Sequence, residues 1–125
     1  MNMNQVTLPA FNVAESVVFY KKLGLIQIVD SEHYARFECP DGDATFSIHL
    51  ADASEIGGNS STYFEHQELD ALCERLKNGG MQFSQMPRDQ NWLWREAWLH
   101  DPSGNAICLY WAGENRKNPP WRVKT

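Results

Sequence analysis

One stretch decides the fold of this 125-residue chain: WREAWLHDPSGNAICLY, residues 94–110. It predicts a β-hairpin, because the turn Asp101–Asn105 combines a proline of fixed φ, a glycine free to take positive φ, and Asp and Asn side chains that bond their own backbone. Alternation along the two strands separates two faces. The apolar face, which we expect to pack against a helix, consists of Ala97, Leu99, Ile107 and Leu109. The opposite face consists of Trp94, Glu96, Trp98, His100, Cys108 and Tyr110. Two tryptophans on one sheet face predict a cavity or an interface, since a solvated face seldom carries them.

The composition argues against two classes of protein. With a net charge of −5 and a pI of about 5.3, the chain has no basic run that would bind nucleic acid by displacing counterions. No apolar run approaches the roughly 18 residues of a membrane span, and the polar N-terminus does not resemble a signal peptide. Cys39, Cys73 and Cys108 form no C-x-x-C pair, which indicates reduced thiols. We therefore expect one cytoplasmic domain, residues 1–125, with neither a nucleic-acid nor a membrane partner.

The first half of the chain predicts a strand, a helix and three further strands. A short strand at 6–8 precedes a helix at 13–23, which Asn12 caps at its start and Gly24 ends. Strands follow at 25–30, 33–38 and 45–50, with a turn at 39–43. On the last of these strands His49 alternates away from the apolar residues, so it shares a face with the polar positions.

The second half repeats the same order after a Gly- and Ser-rich connection at 56–61. A strand at 62–65 leads to a helix that ends at Gly79 and whose apolar stripe is Leu69, Leu72, Cys73 and Leu76. A strand at 81–86, a loop at 87–91 and the hairpin complete it. The turn Pro40–Ala44 of the first half matches Pro102–Ala106 of the second. The repeat therefore predicts two tandem βαβββ modules, at about 4–52 and 60–112, with a tail at 113–125 and with Phe19, Leu72 and Leu76 packed beneath the sheets.

The duplication, together with FYKKLGL at Phe19–Leu25 and DPSGN at Asp101–Asn105, resembles the vicinal oxygen chelate superfamily over residues 4–112. That superfamily includes glyoxalase I, fosfomycin-resistance transferases, extradiol dioxygenases and bleomycin-resistance proteins. The resemblance implies an α+β fold in which the two modules form cup-shaped mixed sheets with the helices outside. It also implies a homodimer, because two-module chains of this kind usually complete their cups by dimerisation.

The resemblance also locates the metal-ligand positions of the superfamily's enzymes, which fall on Gln5, His49, Ser61 and Cys108. Gln occurs at the first position in some glyoxalases, whereas the other three are normally Glu, His and Glu. We therefore expect no ordinary Ni²⁺, Mg²⁺ or Mn²⁺ site and no cofactor. If a metal does bind, Gln5, His49 and Cys108 favour Zn²⁺, because thiolate and imidazole are its preferred ligands.

Strand alternation selects six candidate ligand-binding residues: Tyr34, Arg36, His49, Glu96, Trp98 and Cys108. Glu96 lies between two tryptophans, so it is either a desolvated general base or the ion-pair partner of Arg36. His49 is either a wall residue or a ligand, and Cys108 is either a small buried residue or a reactive thiol. We expect solvent around Glu65 at its strand end. The tail carries Trp121 either as a flap over the cup or as a dimer-clasping arm.

Two functions of different classes follow. The first is a metal-free protein that binds a small aromatic or amphiphilic molecule, as bleomycin-resistance proteins do. The alternative is a metal-dependent enzyme, a glyoxalase-like lyase or isomerase or a dioxygenase, with a non-standard ligand set. The departures from the usual ligands and the Trp and Tyr content of the predicted cup favour the first.

Overall fold

A computed structural model describes residues 1–124 and divides the chain into two compact units. Unit 1 contains residues 1–60 together with the turn Asp101–Asn105. Unit 2 contains residues 61–100 and the chain from residue 106 onward. The described residues include no helix long and apolar enough to span a membrane.

Unit 1 is one helix packed on a mixed four-stranded sheet. Its elements are β1 (Gln5–Ala10), α1 (Val13–Leu23), β2 (Ile26–Asp30), β3 (Tyr34–Glu38) and β4 (Thr45–Leu50), and the sheet order is β1-β4-β3-β2. Only the β1–β4 pair among the paired strands of this unit is parallel. The helix begins where Asn12 Oδ1 accepts the Glu15 amide at 2.9 Å, and it ends at Gly24, whose φ of 109° only glycine adopts without strain.

Unit 2 repeats this order. Its elements are β5 (Ser61–Glu65), α2 (Leu69–Asn78), β6 (Phe83–Asp89), β7 (Arg95–His100) and β8 (Ala106–Trp111), and the sheet order is β5-β8-β7-β6. β5 runs parallel to β8, and the other pairs are antiparallel. Two helices and eight strands in two mixed four-stranded sheets confirm the predicted α+β fold of tandem βαβββ modules.

The apolar faces lie where alternation predicts, with one correction. Ala97, Leu99, Ile107 and Leu109 are all buried in unit 2, as are Leu72 and Leu76 of α2. In unit 1, however, the fully buried aromatic of α1 is Tyr20 and not Phe19, which is half-buried and packs edge-on to Tyr20. Tyr20 is one helical turn beyond the buried Ser16, so it lies on the helix stripe that faces the sheet.

A buried carboxylate organises the Asp101–Asn105 turn. Asp101 is only 4% exposed, and its Oδ1 accepts the amides of Ser103 and Asn105, both at 2.9 Å. Its Oδ2 accepts the Tyr20 hydroxyl at 2.6 Å and the Asn105 side-chain amide at 2.8 Å. One carboxylate thus accepts three hydrogen bonds from its own turn, and the fourth, from Tyr20, ties it to α1.

Two boundaries differ from the sequence prediction because prolines lie within outer strands. Pro87 was predicted to open a loop, but β6 continues through it to Asp89, and β1 likewise continues through Pro9 to Ala10. β6 and β1 are outermost in their sheets, so one side of each carries no ladder within its own sheet and the missing N–H costs little. A register shift between Gln85 and Arg88 also accommodates Pro87.

The chain after β8 follows the prediction that it leaves the sheet. Among the described residues, β8 ends at Trp111 and a 3₁₀ turn occupies Gly113–Arg116. The predicted roles of the tail, as a flap or as a dimer arm, remain predictions.

Tyr20→Phe should lower the free energy of unfolding by about 1.5–3 kcal/mol, because it removes a hydrogen bond to a buried carboxylate. Denaturant titration measures this loss. Ser16→Ala is the matched control, since it removes another fully buried hydroxyl from the same helix, one with no hydrogen-bond partner among the described residues. We expect Ser16→Ala to leave stability unchanged or to raise it, and an equal loss in both variants would contradict the role of Asp101.

Candidate functional site

Each sheet has one face covered by the helix of its own unit and a second face that this helix does not cover, here called the helix-free face. The predicted site residues divide between these two faces. Tyr34, Arg36 and His49 share the helix-free face of unit 1, where Tyr34 pairs with His49 and Arg36 with Ser47. Glu96, Trp98 and Cys108 share that of unit 2, where Trp98 pairs with Cys108. Whether these residues bind a ligand remains a prediction.

Four aromatic rings cover the helix-free face of unit 2, and we call them the aromatic cluster: Tyr63, Trp94, Trp98 and Tyr110. Trp94 stacks on Tyr110 with ring centroids 4.7 Å apart. Tyr63 stands edge-on to the other three rings at 5.6–5.9 Å and is 44% exposed. Such a surface combines large apolar area with π faces that favour planar partners.

Glu96 lies beneath this cluster and is held by two indoles. It is 3% exposed, and its Oε1 accepts the Trp98 N–H at 3.0 Å while its Oε2 accepts the Trp92 N–H at 2.8 Å. Trp92 reaches the carboxylate because the loop before β7 reverses at Leu93, a non-glycine residue with a φ of 68°. Both hydrogen-bond partners of Glu96 are thus neutral, and the carboxylate fixes the orientation of two tryptophans. Its predicted role as a general base remains a prediction.

The surroundings of Cys108 make its thiol unreactive at neutral pH. Burial, with a further contribution from the negative charge of Glu96, raises the pKa of the Cys108 thiol to about 12. The side chain is fully buried and packs with Tyr110, Trp94 and Trp98. A thiol that stays protonated at neutral pH is neither a good nucleophile nor a good metal ligand. Of the two alternatives for Cys108, these surroundings favour a small buried residue over a reactive thiol.

The helix-free face of unit 1 is polar. Ser47 is fully buried, and its hydroxyl accepts the Gln5 side-chain amide at 2.8 Å and lies 2.6 Å from the Tyr34 hydroxyl. Arg36 donates its Nε–H to the same Tyr34 oxygen at 2.9 Å. The hydrogen bond with Ser47 and the nearby Arg36 charge lower the pKa of Tyr34 below its usual value. Arg36 and Glu96 were considered above as possible ion-pair partners. Each forms hydrogen bonds within its own unit, Arg36 with Tyr34, and Glu96 with Trp92 and Trp98.

The residues at the superfamily's metal-ligand positions do not suit a divalent ion. The Gln5 amide donates to Ser47 and accepts from Thr45, and the Cys108 thiol is protonated at neutral pH. Ser61 is an exposed hydroxyl, which leaves His49 as the one strong donor of the four. No group of three or more His, Cys, Asp and Glu side chains among residues 1–124 is arranged to hold a metal.

The sequence analysis missed the roles of three residues in unit 2: Glu65, Trp92 and Tyr63. Glu65 was expected in solvent, but its Oε2 accepts the backbone amides of Ala112 and Gly113 at 3.0 and 2.9 Å, so it caps the chain as it leaves β8. Trp92 was assigned only to a loop, and nothing local in the sequence indicates that this loop returns to Glu96. Tyr63 could have been found, because it alternates onto the same face of β5 as Glu65.

A groove of about 500 Å³ lies elsewhere in unit 1, between α1 and the end of β2, with Val13, Val17, Gln27 and Asp30 in its lining. These residues lie on the helix-covered side of the sheet. None of the predicted site residues lines this groove.

Tandem βαβββ units of this kind define a class of duplicated α+β proteins. The family model of the glyoxalase/bleomycin resistance protein/dioxygenase superfamily matches residues 2–109, and the chain belongs to this superfamily. The sequence comparison with curated proteins finds no match.

Solved structures share the fold at low sequence identity. A glyoxalase/bleomycin resistance protein/dioxygenase from Nocardioides is 23% identical over 99% of this chain and 90% of its own, with a TM-score of 0.77. An antibiotic-binding protein from Streptomyces sp., TnmS3, is 19% identical over 90% of this chain and 96% of its own, with a TM-score of 0.77. A bleomycin-binding protein solved in complex with bleomycin is 18% identical over 89% of this chain and 98% of its own, with a TM-score of 0.71. At these identities the similarity establishes the fold alone.

Glu96→Gln should disturb both tryptophans that the carboxylate holds. The amide keeps one acceptor oxygen but turns an N–H₂ group toward the second indole N–H, so one buried hydrogen bond is lost, at a cost of about 1–3 kcal/mol in unfolding free energy. Denaturant titration and the tryptophan bands of near-ultraviolet circular dichroism measure the effect. Glu74→Gln, on the exposed side of α2, is the control, and indistinguishable results for the two variants would contradict the assigned role of Glu96.

Proposed function

We propose that this protein binds a small aromatic or amphiphilic molecule on the aromatic cluster of unit 2, without the metal of its enzyme relatives. The observation that carries this proposal is the packing of Tyr63, Trp94, Trp98 and Tyr110 on a sheet face that is not covered by the unit's own helix. Ring contacts of this type add about 0.5–1.5 kcal/mol to the burial of apolar area. Tyr63 and Trp98 retain exposed surface, so a planar ligand has a ring face to stack upon.

The orientation of Trp98 supports this proposal. Its indole N–H is already bonded to Glu96, so its ring is fixed before a ligand arrives and little side-chain entropy is lost on binding. The buried Glu96 carboxylate has only neutral donors, which favours ligands that bring an N–H or cationic group to this face. Two structural neighbours are a bleomycin-binding protein and an antibiotic-binding protein, and we extend the binding of a small molecule to this chain as a proposal.

The metal-free part of the proposal is supported by donor chemistry. A divalent ion is held in place by anionic ligands, and His49 has no such partner at the other three positions. The Cys108 thiol is protonated, Ser61 offers a hydroxyl, and the Gln5 amide is already hydrogen-bonded. The three cysteines are free thiols, which supports a reducing, cytoplasmic location.

A homodimer is the second part of the proposal, in which dimerisation completes the cups that the superfamily resemblance implies. In support, three tryptophans remain open in the single chain: Trp92 at 47%, Trp111 at 39% and Trp121 at 57% exposed. The outer strands of each sheet also carry unpaired edges within that sheet. We expect a dimer mass by light scattering at micromolar concentration, and a monomer at all accessible concentrations would contradict this part.

Trp98→Ala should weaken ligand binding about tenfold or more, since about 1.4 kcal/mol corresponds to one decade of affinity. Isothermal titration calorimetry with bleomycin and with anilinonaphthalene sulfonate as flat probes measures the change. Phe11→Ala is the control, because it removes an exposed aromatic ring of unit 1 that belongs neither to the aromatic cluster nor to the tryptophans assigned to the dimer contact.

Equal affinities for Trp98→Ala and wild type would contradict the proposed binding face, as would failure of both flat probes to bind. Zinc bound stoichiometrically in protein purified without chelator, and lost in Cys108→Ser, would instead favour the metal-dependent enzyme.

A further inference from the structure

We infer that the helix-free face of unit 1 is an oxyanion-binding site, in which the Arg36 guanidinium and the Tyr34 hydroxyl take a carboxylate or a phosphoryl group. The inference rests on the order of hydrogen bonds along this face and on the state of the Arg36 charge. It is independent of the aromatic cluster in unit 2.

The hydrogen-bond chain leaves the Tyr34 proton free. The nitrogen of the Gln5 amide faces the Val6 carbonyl oxygen at 3.3 Å, so it is a donor, and it donates to Ser47 Oγ. Ser47 is fully buried, and the only described partner able to take its own proton is the Tyr34 oxygen at 2.6 Å. Arg36 Nε donates to that same oxygen. With both lone pairs occupied, the phenol must direct its O–H away from the sheet.

Among residues 1–124, the Arg36 guanidinium has no anionic partner within ion-pair distance. The ion pairs among the described residues join Arg95 to Asp70 and Asp89, and Arg116 to Glu65. Arg36 is exposed, and its guanidinium carbon lies 5.4 Å from the centroid of the Tyr34 ring, so cation–π attraction and the Nε–H bond hold it in place. Its two terminal nitrogens project as a fork, the geometry that matches carboxylate and phosphate oxygens. Because the Tyr34 hydroxyl oxygen lies 2.9 Å from Arg36 Nε, an anion bound by the guanidinium would lie close to that hydroxyl.

The surroundings contain few competing charges. β1 contributes the neutral Gln5 and Thr7, and β2 contributes Val29 opposite Arg36. Besides Tyr34 itself, the titratable or charged side chains that the described strands place on this face are Arg36, His49 opposite Tyr34, and Glu38 two residues beyond Arg36 on β3. Glu38 makes no ion pair with Arg36 among the described contacts. Two of these three side chains are basic types, in a chain whose net charge is −5.

Tyr34 itself reports occupancy of the site. Burial raises the pKa of Tyr20, Tyr63 and Tyr110, whereas the hydrogen bond with Ser47 and the Arg36 charge lower the pKa of Tyr34 below its usual value of 10.0. The chain has four tyrosines, so Tyr34 ionises first and gives a separate phase in tyrosinate absorbance. An anion at Arg36 adds negative charge and draws the guanidinium away from the phenolate, and both effects raise the Tyr34 midpoint.

The experiment is an alkaline absorbance titration of the full chain with sulfate, with acetate, or with chloride at equal ionic strength. Sulfate stands for a phosphoryl group and acetate for a carboxylate. We expect one of them to move the first midpoint upward by about one unit, a tenfold change in the ionisation equilibrium. By linkage, ionisation of Tyr34 should weaken binding of that anion by the same factor. A response to sulfate alone assigns a phosphoryl ligand, and a response to acetate alone assigns a carboxylate.

Three variants provide the controls. Tyr34→Phe should lose the first phase, which assigns it. Arg36→Gln should start at a higher midpoint and show no response to either anion. Arg75→Gln, which removes an exposed arginine of α2, should respond like wild type. A wild-type midpoint that neither anion moves relative to chloride would overturn the inference, as would an equal shift in Arg36→Gln.

A measurement on the unmodified protein covers the case in which Arg36→Gln fails to fold. Nitrogen-15 spectra resolve the Arg36 Nε–H resonance, and sulfate or acetate at neutral pH should shift it in a saturable manner. A resonance that stays in place through the titration would overturn the inference. Because sulfate and acetate have no aromatic body, this result is distinguishable from failure of the aromatic cluster to bind its probes.

Discussion

The Asp101 carboxylate is the constraint on which the hairpin of β7 and β8 depends. Four donors surround it, and together they fix the length and geometry of the turn between β7 and β8. Turn geometry sets hairpin register, and a slip of one residue would exchange Trp98 for Leu99 on the helix-free face. The facing of Glu96, Trp98 and Cys108 is therefore decided at a turn that lies at the far end of the hairpin from Glu96.

Two charged groups on the helix-free faces differ in burial: Glu96 is buried and Arg36 is exposed. Glu96 is buried and bonded to two neutral indoles, so its charge orients rings that carry apolar surface. Arg36 is exposed and bonded to a neutral phenol, so its charge remains available to an incoming group. A buried ion costs free energy unless donors satisfy it, whereas an exposed one costs little until a ligand desolvates it. The first arrangement suits a fixed surface, and the second suits recognition of an anion.

Patterns with a short range in sequence predicted most of the fold. The Asn12 cap, the Gly24 stop and strand alternation depend on neighbouring residues, and they place α1 within its observed bounds and the buried faces on the correct side. Side chains whose partners are distant in sequence were not predictable. Tyr20, and not Phe19, is the buried aromatic of α1 because its hydroxyl bonds Asp101. Glu65 is held at the sheet because it accepts two backbone amides just beyond β8. Six candidate residues could be assigned to the helix-free faces, but the turn at Leu93 that brings Trp92 to Glu96 left no signal in the sequence.

The duplication allows a position-by-position comparison of the two halves. In the first, Thr7 and Arg36 flank Ser47 on neighbouring strands; in the second, Tyr63 and Trp98 flank Cys108 in the same arrangement. Descent from one ancestral module would mean that three equivalent sites diverged to polar residues in one copy, and to two aromatic residues and a buried thiol in the other. Each copy kept its own helix and its own sheet while the side chains of its helix-free face diverged. Mutations can therefore change the side chains of one helix-free face and leave those of the other untouched, so a duplicated chain can vary one surface at a time.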